Sequence, residues 1–197
     1  MLKSKLVLNF PHHQLQASLR DSTKVAIEVY TAVSLPIRIK TWIWDLYEKN
    51  MESLLSSSEE GFDPFAKRKE LFHAESRIVV LRAMDQSPIA TSSEDLVGFS
   101  IFRFDTETAH DTRLADVLYC YELQIDPSRR RTGAAKLLMD CLARIAKDWR
   151  MDKVMLTCLK SNQEALAFYE SQGYINDEID PSFSRPEVDY RILSRVV

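Results

Sequence analysis

Arg129, Arg130 and Arg131, with Gly133 two residues beyond them, make the part of this chain best equipped to hold an anion. An extended segment closes at Asp126-Pro127 just ahead of them. Behind them begins an apolar pattern of helical period, Leu137, Leu138, Cys141, Leu142, Ile145 and Trp149. Cations crowded before a helix N-terminus are unfavourable, because that end carries a partial positive charge, at roughly 0.3–1 kcal/mol for each like charge. An anion in the loop reverses the sign. Free N–H groups point at it, Gly133 lets the backbone approach it, and the arginines neutralise it. The stretch therefore reads as a phosphate cradle. It has neither the Gly/Lys/Ser pattern of a nucleotide triphosphatase loop nor the three-glycine dinucleotide fingerprint. The alternative is an exposed basic turn before an ordinary helix.

The strand that feeds this loop carries acid–base residues, in the run Val117-Leu-Tyr-Cys-Tyr-Glu122. Regular alternation puts Tyr119 and Tyr121 on one face and Glu122 on the other. An aromatic stripe is ordinary in a strand. A carboxylate amid it is not, since a buried carboxylate needs a partner. Glu122 is the candidate general base, directly or through water, with Tyr119 and Tyr121 positioning the base or its substrate. Asp105 and Glu107 end an earlier strand at alternate positions and share a face. Together they suit an arginine; the commoner fate of such residues is solvation at a loop entrance.

These groups need a framework to position them. A length of 197 residues suits one domain with appendages, and 45% hydrophobic content supplies a single core. The net charge of −3 gives no global affinity for nucleic acid. No apolar run approaches the ~20 residues that span a bilayer, and the segment from Leu6 to Phe10 is too short for a signal peptide. The expectation is an intracellular monomer, away from membranes and from direct contact with nucleic acid. Cys120, Cys141 and Cys158 read as small buried hydrophobes, and the four histidines lack metal-ligand spacing, so no metal is expected.

Strands are expected over Val25–Tyr30, Ile78–Arg82, Leu96–Phe104, Val117–Ile125, Lys153–Leu159, Tyr174-Ile175 and Asp189–Leu193. Two of them, 78–82 and 96–104, flank a polar loop containing Pro88. Helices are expected from Pro36 to about Leu55, from Pro64 to His73, after Gly133, and from Ser161-Asn162 to the cap at Gly173. Ile39, Trp42, Ile43, Leu46 and Tyr47 form the apolar face of the first helix. Antiparallel strands followed by β-α-β-α-β give an α/β fold, a mixed central sheet with helices on both faces. Residues 1–24 are expected as an N-terminal arm packed on a domain spanning residues 25–197.

The spacing Arg130-x-x-Gly133-x-Ala135 resembles the pyrophosphate loop of the GNAT acetyltransferases. The run from Asn162 through Ala165, Phe168, Tyr169 and Gly173 to Tyr174 is similar to that family's second CoA-contacting motif. The resemblance implies a GNAT fold whose middle strands splay to admit the acetyl-thioester, with acetyl-CoA as co-substrate and no metal. It implies too a bulge in the strand entering the phosphate loop, which re-aims side chains toward the cleft. It also implies that Asn162 and its helix border the pantetheine arm. Tyr169 would lie near the thiol, as a candidate proton donor to it. For the chemistry, attack needs a neutral amine, and an α-ammonium has a reference pKa of about 7.7–8.0, so a weak base such as Glu122 suffices.

Four segments narrow the likeness: Phe102 to Glu107, Val117 to Glu122, Lys153 to Thr157, and Asp189 to Arg195. They resemble the NatD-type N-alpha-acetyltransferases, which act on the Ser-Gly-Arg-Gly N-termini of histones four and two-A, in cytoplasm and nucleus. That resemblance implies a peptide site lined by Asp105, Glu107, Tyr121, Thr157, Tyr190 and the aromatic wall Phe62. It assigns acetyl-CoA to Leu123, Gln124, Ile125, Arg130, Arg131, Thr132, Gly133, Ala134, Ala135, Lys136 and Asn162, with Tyr169 alongside. The ribosome is a further candidate partner. One departure stands out: Leu55 and Glu60 occupy places where the family carries Tyr and Trp. Two other readings remain open, an acetyltransferase for a lysine side chain or small amine, and a non-catalytic CoA-binding scaffold.

Overall fold

The computed structural model describes residues 15–59, 61–84, 95–108 and 113–197. The loop at Pro88 and most of the expected N-terminal arm lie outside them. Among the described residues, eight strands form one sheet in the order β1-β2-β3-β4-β5-β6-β8-β7. They are β1 (Leu15–Ser18), β2 (Lys24–Thr31), β3 (Arg77–Ala83), β4 (Leu96–Thr108), β5 (Leu114–Ile125), β6 (Lys153–Leu159), β7 (Ile175–Asn176) and β8 (Tyr190–Val196). The helices are α1 (Ile37–Ser56), α2 (Pro64–Leu71), α3 (Ala134–Asp148) and α4 (Gln163–Ser171).

β1 to β5 run antiparallel to their neighbours, and β5 pairs with β6 in parallel. A parallel pair needs a long crossover, and α3 supplies it. β8 then pairs antiparallel with both β6 and β7. The end of the segment expected as an arm is packed on the domain. Ala17 and Ser18 pair with Val25 and Lys24, and Leu19 is buried in the core. Among the described residues the sheet begins at Leu15.

Each face of the sheet has its own apolar layer. Leu138, Met139, Leu142 and Ala146 of α3 join Leu166 and Tyr169 of α4 against Phe102, Leu118, Cys120, Val154 and Leu156. On the other face Ile39, Ile43, Trp44, Leu46 and Tyr47 of α1 pack on Ile78, Val80, Phe99 and Ile101. Trp44 is buried in this layer as well, and Trp42 of the expected apolar face packs against it, meeting the Phe99 ring edge-on at 5.9 Å. Pro36 is the residue before α1, not within its first turn. Asn162 caps α4 by accepting from the Ala165 N–H at 3.2 Å, and Gly173 takes the left-handed conformation beyond its end, at φ 81°. Cys120 and Cys158 are buried free thiols, both raised to about 12 by burial first of all. No helix among the described residues is long and apolar enough to cross a membrane.

Candidate active site

β5 and β6 stay paired only from Val117 opposite Lys153 to Cys120 opposite Leu156. Beyond that point Tyr121–Ile125 continue along β4, while Thr157–Leu159 continue along β8. The sheet forks there, as the resemblance implies. Along the open edge of β5, the backbone groups between Tyr121 and Gln124 that face away from β4 have no strand partner, so they can bond an extended ligand carrying amides. The face of β5 that holds Leu123 and Ile125 packs toward α3 and α4, with Cys120, Cys158 and Tyr169 buried at the floor.

The register of β4 on β5 shifts where the fork opens. Ile101 pairs with Glu122 and Phe102 with Cys120, which leaves Tyr121 as the extra residue of a β-bulge. The bulge implied by the resemblance is present, and it breaks the regular alternation here. Without a bulge Glu122 would share the face of Leu118 and Cys120. With it, Glu122 joins Ile101 on the face covered by α1 and α2, beside Tyr119 and Tyr121. The two tyrosine rings lie 5.1 Å apart, and the Arg103 guanidinium sits over Tyr121 at 4.1 Å. Arg103 is held in turn by Ser76 Oγ and the Glu70 carbonyl.

Glu122 is 9% exposed and is matched by polar partners. Gln124 Nε2 donates to its Oε1 at 2.7 Å, and Lys67 Nζ lies 3.4 Å from its Oε2. Lys67 also bonds Glu70 at 2.6 Å. Burial alone would lower the Lys67 pKa, but the Glu122 and Glu70 carboxylates outweigh it and raise it, so the ammonium persists. Tyr119 donates to or accepts from Thr157 Oγ1 across the fork. Burial pushes its hydroxyl up to about 12, so it remains a neutral positioning group.

Residues that the resemblance assigned to a peptide site share this same face. Asp105 and Glu107 follow Arg103 at alternate positions of β4, and Arg103 faces Tyr119. Thr157 opposes Ile192 and Leu159 opposes Tyr190, so Tyr190 shares the face of Thr157 and Tyr119. The pKa of Glu107 is raised, by desolvation first and by the neighbouring Asp105 next. Lys153 opposes that shift, but its ammonium is bonded to buried Asp177 at 2.6 Å. A guanidinium placed beside the pair would favour the charged form of Glu107. Phe62 is stacked on Tyr47 with ring centroids 6.4 Å apart, and Leu55 packs in the same layer. The α1–α2 connection is tied across the mouth by the Glu59 N–H, which donates to Asp189 Oδ2 at 2.8 Å.

At the other end of β5, a one-turn 3₁₀ segment, Pro127–Arg129, leads into the loop. Arg131 and Gly133 both have positive φ, 67° and 94°. Alternation of this kind turns successive N–H groups toward one concavity, and Gly133 caps the start of α3, where Ala134, Ala135 and Lys136 form the first turn. Arg20 N donates to the Thr132 carbonyl at 2.8 Å, and its side-chain stem runs along Gly133, where a Cβ would meet Arg20 Cγ at 3.4 Å. Arg20, Asn50, Lys67 and Arg103 had no local signal in the sequence. If this loop holds a pyrophosphate, Arg130→Ala with Arg131→Ala weakens acetyl-CoA binding by about tenfold or more per guanidinium, at ~1.5–3 kcal/mol for a charge-assisted bond. The wild-type affinity also falls with added salt. Calorimetry showing unchanged affinity in the double variant would remove the loop from the cofactor site.

Fork, loop and acidic face make this an α/β domain with a cleft for an elongated, phosphate-bearing acyl carrier. The sequence profile of the acetyltransferase (GNAT) family matches residues 39–174, and the chain belongs to that family. A curated relative, the thialysine N-epsilon-acetyltransferase of Caenorhabditis elegans, is 31% identical over 88 residues, 45% of this chain and 52% of that protein. The chain thus spans about half the length of that relative. In fold it is similar to the NatC complex bound to Gag peptide and CoA, with TM-score 0.53 and 20% identity over 87% of this chain and 98% of that one. It is similar also to a GNAT acetyltransferase from Listeria monocytogenes 4b F2365, with TM-score 0.60 and 13% identity over 93% and 100% of the two chains. Among the described residues no cluster of His, Cys, Asp and Glu has the form of a metal site.

Proposed function

We propose that this protein transfers the acetyl group of acetyl-CoA to the N-terminal α-amine of chains that begin Ser-Gly-Arg-Gly, as histones four and two-A do. The observation that carries this reading is the bulge at Tyr121. It brings Glu122 onto the face that also holds the Asp105–Glu107 pair, at the mouth of the fork. Acetyl-CoA supplies an activated acyl carbon and a thiolate leaving group. Glu122 takes a proton from the α-ammonium, directly or through one water. The freed nitrogen forms the C–N bond as the C–S bond breaks, and its second proton passes, directly or through water, to the departing thiolate, which leaves as CoA thiol. Tyr121 and Tyr119 flank the amine, Thr157 and Tyr190 border the peptide, and the acid pair receives the guanidinium of its third residue. Tyr169 is raised well above its ordinary range by burial, so it keeps its proton and can donate a hydrogen bond to the departing sulfur.

A second reading, acetylation of a lysine-like or other small amine, is favoured by the thialysine N-epsilon-acetyltransferase relative. Side-chain ammonium groups near pKa ~10.4 demand more of the base than an α-amine does. One assay separates the readings. Purified protein and acetyl-CoA are mixed with a Ser-Gly-Arg-Gly peptide, the same peptide with a blocked N-terminus, a blocked peptide containing lysine, or thialysine, and CoA release is followed. Release with the free peptide alone is expected. Faster release with thialysine or with a lysine-containing blocked peptide selects the second reading, and no release with any amine selects a non-catalytic scaffold.

A further inference from the structure

The polar contacts of Glu122 continue past the peptide site. Gln124 Nε2 donates to Glu122 Oε1 at 2.7 Å. Gln124 Oε1 accepts from Asn50 Nδ2 at 2.8 Å. Asn50 Oδ1 accepts from Arg130 Nη2 at 3.1 Å. Asn50 Nδ2 also donates to the Ile125 carbonyl at 3.2 Å. Every side-chain donor points the same way, from the arginine of the anion-binding loop to the carboxylate. From this we infer that Asn50 is a positioning residue that ties the acetyl-CoA loop to the general base.

The chemistry of the amides makes the chain directional. Glu122 is acceptor-only when ionised, so it needs the NH₂ end of Gln124. Nothing within Gln124 decides which end faces it. The Asn50 NH₂ group decides, because it requires the oxygen end of Gln124 on the opposite side. The Asn50 orientation is itself fixed twice, by the Ile125 carbonyl at its NH₂ and by Arg130 at its oxygen. Its place is fixed by the helix: Asn50 follows Ile43, Leu46 and Tyr47 at helical spacing, and those three residues are buried against the sheet. A guanidinium has five N–H donors, so Arg130 can serve Asn50 and a phosphate together. The loop that holds acetyl-CoA and the carboxylate that receives the proton are thereby set in register.

The inference rests on Glu122 being the base, and the test keeps the two apart. Asn50→Asp is isosteric and keeps the acceptor for Arg130. It turns an oxygen toward Gln124, which then presents its own oxygen to Glu122. The expected result is a roughly three- to tenfold fall in kcat, the worth of one hydrogen bond. The KM for acetyl-CoA and the thermal midpoint stay close to wild type. Asn50→Ala repeats the kcat loss. Arg130→Ala lowers kcat at saturating acetyl-CoA in the wild-type background but not in Asn50→Asp, because the link is already broken. Wild-type kcat in Asn50→Asp overturns the inference, as do fully additive losses in that cycle. Glu122→Gln is run alongside. If it is slow while Asn50→Asp is normal, the base assignment stands and only the positioning role fails. If Glu122→Gln itself turns over like wild type, both fall.

Discussion

Replacing Glu122 by Gln is expected to lower kcat by about 10²–10⁴-fold, the usual contribution of a general base, with little change in acetyl-CoA affinity. The substitution keeps the side chain's shape. Its oxygen can still accept from Gln124 Nε2, and Lys67 keeps Glu70 at 2.6 Å, so no buried cation is stranded. What disappears is the ability to take a proton. The loss should shrink as pH rises, because the α-amine is increasingly neutral above its reference pKa of about 7.7–8.0 and then needs no base. Steady-state turnover at pH 7 and pH 9, with acetyl-CoA affinity from calorimetry, measures both effects. Near-normal turnover at pH 7 would take Glu122 out of the mechanism and direct attention to Tyr119 and Tyr121.

That prediction depends on a feature that periodicity alone could not display. Reading β5 alone, period-two alternation sends Glu122 to the opposite face from Tyr119 and Tyr121. The family resemblance implies a bulge in this strand, but the bulge is a property of the pair, β5 having one more residue than β4 between matched positions. Its place at Tyr121 becomes visible only when both strands are placed. Local signals fared differently. The Asn162 cap, the Gly173 terminus and the apolar stripe of α3 depend on neighbours within one or two turns, and they appear where the sequence puts them. Gly133 and the arginines likewise announced the loop. Arg20 and Asn50, which steady that loop, come from the turn after β1 and from α1. Asn50 and Arg130 are separated by 80 positions in sequence, and a contact of that kind leaves no periodicity to read. Lys67 was legible only as a charge on a short helix; its pairing with Glu122 follows from α2 packing over the fork.

The largest change in specificity should come from Asp105→Asn with Glu107→Gln. If this pair receives the third-residue arginine, the double variant loses about tenfold or more per contact on Ser-Gly-Arg-Gly peptides, at ~1.5–3 kcal/mol for each charge-assisted bond. It loses far less on Ser-Gly-Ala-Gly, which never offered a guanidinium. Lysine at that position should be intermediate, having the charge without the planar fork. The pH dependence has a definite sign. In the free protein Glu107 is raised, by desolvation first and by Asp105 second. A bound guanidinium favours the charged carboxylate and lowers that pKa again. The complex then holds fewer protons than the free protein, so affinity for the arginine peptide rises with pH. The rise spans the window between the lowered pKa of the complex and the raised pKa of free Glu107, and it levels off above the latter. Peptide affinity measured across that acid window should show the slope with Ser-Gly-Arg-Gly, and the double variant should flatten it. Equal losses on the arginine and alanine peptides would mean that the two acids hold the fold or the peptide backbone. The specificity for a third-residue arginine would then have to come from elsewhere in the cleft.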